Sequence, residues 1–284
     1  MENSVIEIKG LTKRYKGFAL ENLNLELPAG CILGLVGENG AGKSTTIRLI
    51  MDAISRDAGQ VTVLGVDNRS PDFLRTKEDI GVVLDETCIP EVITAKQLGK
   101  IMAGTYRNWD RAAYDKWLDK FQLPPDKKFK DYSRGMTMKL GIAAALSHHA
   151  KLLLLDEATS GLDPMVRDEL LDVFADFAVE DGHAVLLSSH IVSDLEKICD
   201  YIAFLHKGRL VLCEEKDALL DRYGILKCTK DQIKNVPSEA VHSMRVGPYG
   251  AEALVERDFM PKDLLVERAT LEDIILYLSK EADQ

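Results

Sequence analysis

Apolar and polar positions alternate near the start of the chain: Ile6 and Ile8, then Leu23, Leu25 and Leu27. A period of two predicts half-buried antiparallel strands. Pro28-Ala29-Gly30 turns the chain into "CILGLV", a wholly apolar strand. A glycine-rich loop follows, and then a helix with Ile47, Ile50, Met51 and Ile54 on one face. From about 88 to 150 the strand signal vanishes, and "PEVITAKQLGKIMAG" and "WDRAAYDKWLDKF" are the clearest helical patterns. This predicts a helical insertion between two parallel strands. "KLLLLDEA" resumes the strand series. Asp163-Pro164 then caps and starts a helix, because proline at the first helical position gives up no needed donor. Leu170, Leu171, Phe174, Phe177 and Ala178 form that helix's apolar face. "AVLLSSH" is the next strand, and "YIAFLHKGRLVL" is a hairpin turning at Lys207-Gly208.

After about 214 the character changes. Short strand-like runs ("ILKCT", "AVHSMRV", "DLLVERA") precede a last helix, "LEDIILYLSKE", with Thr270 and Asp273 at capping-box spacing before it. The expected architecture is α/β. A main domain spans 1–213, with antiparallel β and inserted helical (about 88–150) subdomains, and 214–284 forms a small α+β appendage.

The 284 residues suit one large domain or about two, and 46% hydrophobic with 29% charged content supports a full core and a solvated surface. No apolar run approaches the ~20 residues needed to span a bilayer, and "MENSVIEIKG" lacks the pattern of a signal peptide. The expectation is a soluble cytosolic chain whose membrane role, if any, runs through a separate partner. A net charge of −10 argues against a nucleic-acid partner, and Lys127, Lys128 and Lys130 read as a solvated loop. The five cysteines (31, 88, 199, 213 and 228) form no CxxC pair and read as reduced thiols. His148 and His149 are adjacent and share no helix face, so they make no metal site.

"GENGAGKS", residues 37–44, fits G-x-x-x-x-G-K-[ST] and lies between a strand and a helix. Gly37, Gly40 and Gly42 let the backbone curl so that its N–H groups face a phosphate. Asn39 and Ala41 belong to the same nucleotide-binding loop. The helix N-terminus adds partial positive charge. Lys43 is placed to reach the β- and γ-phosphates, Ser44 to ligate Mg²⁺ and Thr45 to add a phosphate hydrogen bond. A nucleoside triphosphate site also needs an acid on the metal and a means of activating water. Asp156, at the exit of "LLLLDE", suits the Mg²⁺ shell, and Glu157 suits the attacking water. These features describe a P-loop NTPase that uses ATP or GTP, and the lack of a guanine-reading N-K-x-D weakens GTP.

"YSRGM" at 132–136, "SGLDP" at 160–164 and His190 after a strand complete an ordered series: P-loop, signature, acidic strand, D-loop and switch histidine. The series resembles the ATP-binding cassette family over about residues 4–213. The resemblance implies ATP and Mg²⁺ as ligands. Tyr15 matches the aromatic that stacks on adenine, a contact worth about 1–3 kcal/mol for a nucleobase. Ser133 and Gly135 match the signature that contacts the γ-phosphate held by the opposite subunit. Asp163 matches the D-loop residue that crosses that interface, and His190 the switch histidine on the γ-phosphate. The resemblance further implies a pair of ATP-binding subunits, identical or not, beneath a separate transmembrane permease, peripheral on the inner face of the membrane. The helical insertion and the 85–95 loop would receive the permease's coupling helix.

The chain departs from the family pattern at two places of consequence. The usual L-S-G-G-Q is Tyr132-Ser133-Arg134-Gly135-Met136, so Arg134 adds charge at the subunit interface. The form YSxGM resembles the exporter branch that drives lipid, antibiotic, peptide or haemolysin-type efflux. The other departure is Asp85, in "IGVVLDET", where the family carries a glutamine sensor. A carboxylate there can hold Mg²⁺ or be repelled from the γ-phosphate, and both alternatives stand. Glu86 reads as solvated. A rival reading, a soluble cassette ATPase working on ribosomes or nucleic acid, is disfavoured by the single cassette and the acidic charge.

Overall fold

The structure, a computed structural model, describes residues 4–85, 89–229, 232–248, 250–261 and 264–283, apart from the side chains of 234 and 235. The first part of the chain runs β1 (Ser4–Tyr15), β2 (Phe18–Pro28), β3 (Ile32–Val36), α1 (Lys43–Ile50), β4 (Ala58–Val63), β5 (Val66–Asp67), α2 (Phe73–Thr76) and β6 (Ile80–Val83). The helices α3 (Ala95–Thr105), α4 (Arg111–Lys120) and α5 (Arg134–Leu146) follow. Next come β7 (Leu152–Asp156), α6 (Pro164–Val179), β8 (Ala184–Ser189), α7 (Val192–Ile198), β9 (Tyr201–His206) and β10 (Arg209–Glu215). The chain continues through α8 (Lys216–Arg222), β11 (Tyr223–Cys228), β12 (Val241–Gly247), β13 (Gly250–Glu256), β14 (Val266–Arg268) and α9 (Leu271–Glu281).

The central sheet has the order β10-β9-β3-β8-β7-β6. β3 lies between β8 and β9 and is parallel to both, and β7 is parallel to β6 and β8. Every residue of β3, β7 and β8 is buried, as expected for parallel strands covered on both faces. The alternating strands β1 and β2 pair antiparallel in a separate sheet with β4 and β5.

The helical insertion lies between β6 and β7, which are neighbours through Ile80↔Leu152 and Val83↔Leu155. Its helices start on side-chain caps. Thr94 and Gln97 form a capping box on α3, Asp110 caps α4 and Ser133 caps α5. The fully buried Tyr114 ties two of them together by donating its hydroxyl to the Ala95 carbonyl at 2.9 Å. His148 is packed away under Tyr106, with ring centroids 4.0 Å apart and planes within 9°. Its Nδ1 lies 3.0 Å from the Glu78 carbonyl, and burial pushes its pKa down. His149 points outward near Asp110. No group of three or more His, Cys, Asp or Glu that could hold a metal ion occurs among the described residues.

The C-terminal sheet has the order β12-β13-β11-β14, with α9 against β12 and β13. The Thr270–Asp273 capping box is formed in both directions. β13 and α8 were not anticipated. "GAEALVE" is rich in Ala and Glu and has weak strand propensity, so pairing with β11 and β12 decides it. α8 is seven residues long, too short to show helical period. The 213/214 point lies inside β10. Leu271, Ile274, Tyr277 and Leu278 of α9 and Tyr223 and Ile225 of β11 share one buried cluster with Leu153, Leu155 and Phe174 of the main body. Cys31, Cys199, Cys213 and Cys228 are reduced thiols, while Cys88 lies outside the described residues. No helix among the described residues is long and apolar enough to cross a membrane.

A candidate nucleotide site at the ends of the parallel strands

β3 delivers the chain to the glycine loop at the C-terminal edge of the sheet, where parallel sheets present ligands. A side chain at Gly37 would run into the Leu205 carbonyl. Gly42 adopts φ +114°, a conformation that suits glycine, and leaves the first turn of α1 without a side-chain cap. The first amides of α1 are thus the kind of donor set that accepts an anion. Ala41 is buried and fastened from outside by the Gly208 amide, which donates to its carbonyl at 3.0 Å; Asn39 and Gly40 form the exposed crest. Ser44 and Thr45 are half-buried in the first turn.

Lys43 is only 6% exposed. Its Nζ donates to the carbonyls of Gly37 at 2.7 Å and Glu38 at 3.3 Å, and it lies 3.2 Å from Oε1 of Glu157. The strand between the loop and the acids is β8. From it, Ser188 donates its hydroxyl to Oδ1 of the buried Asp156 at 2.6 Å, and its carbonyl accepts the Glu157 amide at 3.1 Å. Glu157 has φ +53°, an uncommon conformation for a side chain of this size that costs about 1–3 kcal/mol and clusters at functional sites. Its Oε2 lies 2.6 Å from Nδ1 of His190. One carboxylate is therefore clasped between the loop lysine and the histidine that follows β8.

Tyr15 stands at the tip of the β1–β2 hairpin, 46% exposed, with its ring stacked toward Phe18 at 6.4 Å. Phe18 in turn packs against Gly42, where an added Cβ would lie 3.1 Å from its ring. Tyr15 is thus one ring away from the glycine loop. Ser133 caps α5, its Oγ accepting from the Met136 amide at 3.2 Å. Asp163 caps α6, accepting from the Val166 amide at 3.0 Å. Gly135 sits beside Val166, so the starts of α5 and α6 adjoin. Ser133, Gly135 and Asp163 make no hydrogen bond to Lys43, Glu157 or His190 among the described residues.

Asp85 stands at the exit of β6, beside the start of α5. Its Oδ1 accepts from Nη2 of Arg134 at 2.6 Å, and that guanidinium also donates from Nε to the Ser160 carbonyl at 2.8 Å. Its hydrogen bond and ion pair go to the signature arginine. Glu86 lies outside the described residues.

The residues fit Mg²⁺ and a triphosphate. Uncapped helix amides and a buried lysine suit phosphate. A half-buried hydroxyl on Ser44 and a buried carboxylate on Asp156 are the hard oxygen donors that Mg²⁺ takes.

The sequence profile described as ABC transporter matches residues 20–160. The bacitracin transport ATP-binding protein BcrA of Enterococcus faecalis is 34% identical over 210 residues, covering 73% of this chain and 68% of that one. The chain belongs to the ABC transporter family. The lantibiotic transport ATP-binding protein SrtF of Streptococcus pyogenes is 33% identical, covering 75% of this chain and 92% of its own. A solved ATP-binding subunit of an ABC transporter superposes with a TM-score of 0.68 at 26% identity, covering 76% of this chain and 91% of that one. As an ABC ATPase, the chain binds and hydrolyses ATP.

Three features of this ABC site were not read from the sequence. Phe18 and Ser188 act behind Tyr15 and Asp156, and only their places in the fold reveal them. The Arg134–Asp85 contact joins residues 49 positions apart, and no local spacing announces it.

Proposed function

We propose that the chain powers an exporter of a peptide, antibiotic or lipid-like substrate, acting as one of a pair of ATP-binding subunits beneath a separate transmembrane subunit at the inner face of the membrane. The observation that carries this is the clasp of Glu157 between Lys43 and His190 at the strand ends. The similarity to subunits named for bacitracin and lantibiotic transport, and the signature Tyr132-Ser133-Arg134-Gly135-Met136, support the cargo class.

The geometry supports the following division of roles. The loop amides and Lys43 bind the phosphates, and Thr45 adds a hydroxyl. Ser44 and Asp156 would hold Mg²⁺, which supplies charge neutralisation on the phosphates when bound. Tyr15, backed by Phe18, offers a face to adenine. Glu157 orients the attacking water, and His190 steers that carboxylate and reaches the γ-phosphate. Ser133, Gly135 and Asp163, at the exposed starts of α5 and α6, serve the ATP of the second subunit. Binding closes the pair and hydrolysis reopens it, because the γ-phosphate contacts both halves only when they are closed.

The test is to purify the tagged full chain from its native membranes in mild detergent, identify what accompanies it, and compare the deletion strain's sensitivity to membrane-active peptides. A polytopic membrane protein that stimulates the ATPase, with increased sensitivity on deletion, is the expected result. Isolation with ribosomes and without any membrane protein would overturn it.

A further inference from the structure

Arg134 occupies the first turn of α5, between the capping Ser133 and Gly135. A cation there is opposed by the helix dipole, so it needs an anion close by. Asp85, just past the end of β6, supplies that anion at 2.6 Å. The same guanidinium donates to the carbonyl of Ser160 at 2.8 Å. Gly161 makes room for it: a Cβ at that residue, whose φ is +67°, would stand 3.1 Å from Arg134 Nε. The 160–161 turn hangs directly from the Glu157 backbone, since the Ser160 amide donates to the Glu157 carbonyl at 3.0 Å. It leads through Leu162 to the α6 cap, Asp163. One side chain therefore touches three segments: the start of α5, the exit of β6 and the turn that joins Glu157 to Asp163. The two positions at which this chain departs most from the family pattern are partners in one ion pair.

We propose that Arg134 is a positioning residue that yokes the start of α5 to the Glu157–Asp163 turn and, through Asp85, to the exit of β6, so that these segments move together during turnover. This rests on the reading that Glu157 and the signature serve ATP hydrolysis. Both partners are about half exposed, with side-chain accessibilities of 51% and 46%. The pair is therefore a reversible latch, of the strength that shifts an equilibrium about twofold to fivefold. Asp85 acts here through Arg134 and not as a metal ligand.

A double-mutant cycle on the full chain tests the yoke. Arg134→Gln, Asp85→Asn and the double variant are compared with wild type for kcat, KM for ATP and the Mg²⁺ concentration giving half-maximal rate. Each single variant is expected to lower kcat about twofold to fivefold, with KM and the Mg²⁺ midpoint held within twofold. The double variant is expected to be no slower than the slower single, and Arg134→Lys, which keeps the charge but not the fork, to fall between wild type and Arg134→Gln. The yoke is overturned if the single losses multiply in the double variant. It is equally overturned if Asp85→Asn raises the Mg²⁺ midpoint while Arg134→Gln does not, which would make Asp85 a metal ligand. The site reading has its own control: a Glu157→Gln chain that still turns over ATP at the wild-type rate overturns that reading, whatever the cycle shows.

Discussion

Nζ of Lys43 lies 3.2 Å from Oε1 of Glu157, across the strand β8 that separates the glycine loop from the acidic strand. With His190 on the other oxygen, Glu157 is a carboxylate whose direction is fixed before any water is bound. Glu157→Gln keeps the shape and a carbonyl oxygen but removes the basicity and the negative charge. Positioned proton transfer contributes about 10²- to 10⁴-fold, so ATP turnover is expected to fall at least 100-fold. ATP is expected to remain bound and to trap a dimer visible by light scattering after size exclusion. A variant that stays monomeric in saturating ATP counts against the assignment.

Lys43 answers to the loop as well as to Glu157, since its ammonium holds the carbonyls of Gly37 and Glu38. Replacing it by alanine removes a buried cation aimed at the phosphate cradle. Hydrogen bonds to charged groups contribute about 1.5–3 kcal/mol, which corresponds to a loss of roughly tenfold to hundredfold in nucleotide affinity. Titration with a fluorescent ATP analogue measures it. Unchanged affinity for Lys43→Ala would refute the role given to this lysine.

Ser188 is the support for Asp156, donating at 2.6 Å from the strand that lies alongside. Groups that orient a metal-binding carboxylate typically govern metal affinity by 10- to 100-fold. For Ser188→Ala, the Mg²⁺ concentration giving half-maximal ATPase is expected to rise about tenfold or more, with kcat recovering at saturating Mg²⁺. A lowered kcat with an unmoved Mg²⁺ midpoint would mean that Ser188 serves the Glu157 backbone alone.

Burial depresses the pKa of His148, whose ordinary value is 6.5. The unfolded chain therefore binds a proton that the folded chain resists, and the stability this group contributes is present above about pH 6.5 and lost as pH falls below it. Thermal melts from pH 7.5 to 5.5 are expected to show a falling Tm in the wild type. In His148→Phe, which keeps a ring against Tyr106 but has no group to protonate, the fall should be shallower. Parallel slopes for the two proteins would remove His148 as the cause.

Much of the site was legible in the sequence because backbone form and chemistry coincide there. A five-residue apolar strand running into "GENGAGKS" has little choice but a buried parallel strand followed by an uncapped helix. "LLLLDE" places Asp156 and Glu157 for the same reason. The helical insertion and the β9–β10 hairpin followed from period and turn residues alone. What escaped depends on tertiary pairing. β13 becomes a strand because β11 and β12 flank it, and Asp85 finds Arg134 only because β6 lies against β7 and α5. The adenine-side pair shows the same divide. Tyr15 was found by its motif, while Phe18, three residues on, gains meaning only from its contact with Gly42.

The boundary near residue 214 is visible as a change in sequence character but not as a gap in packing. Tyr277 and Ile274 of α9 are buried in the same cluster as Phe174 and Leu155, and β10 runs through the boundary without a break. A domain that shares its core with its neighbour does not unfold alone. Calorimetry of the full chain is therefore expected to give one cooperative transition. Ile274→Ala, fully buried in α9, is expected to lower stability by about 2–5 kcal/mol and to shift that whole transition. Two resolved transitions, with only the lower one moved by Ile274→Ala, would establish the appendage as an independent unit that merely rests on the ATPase core.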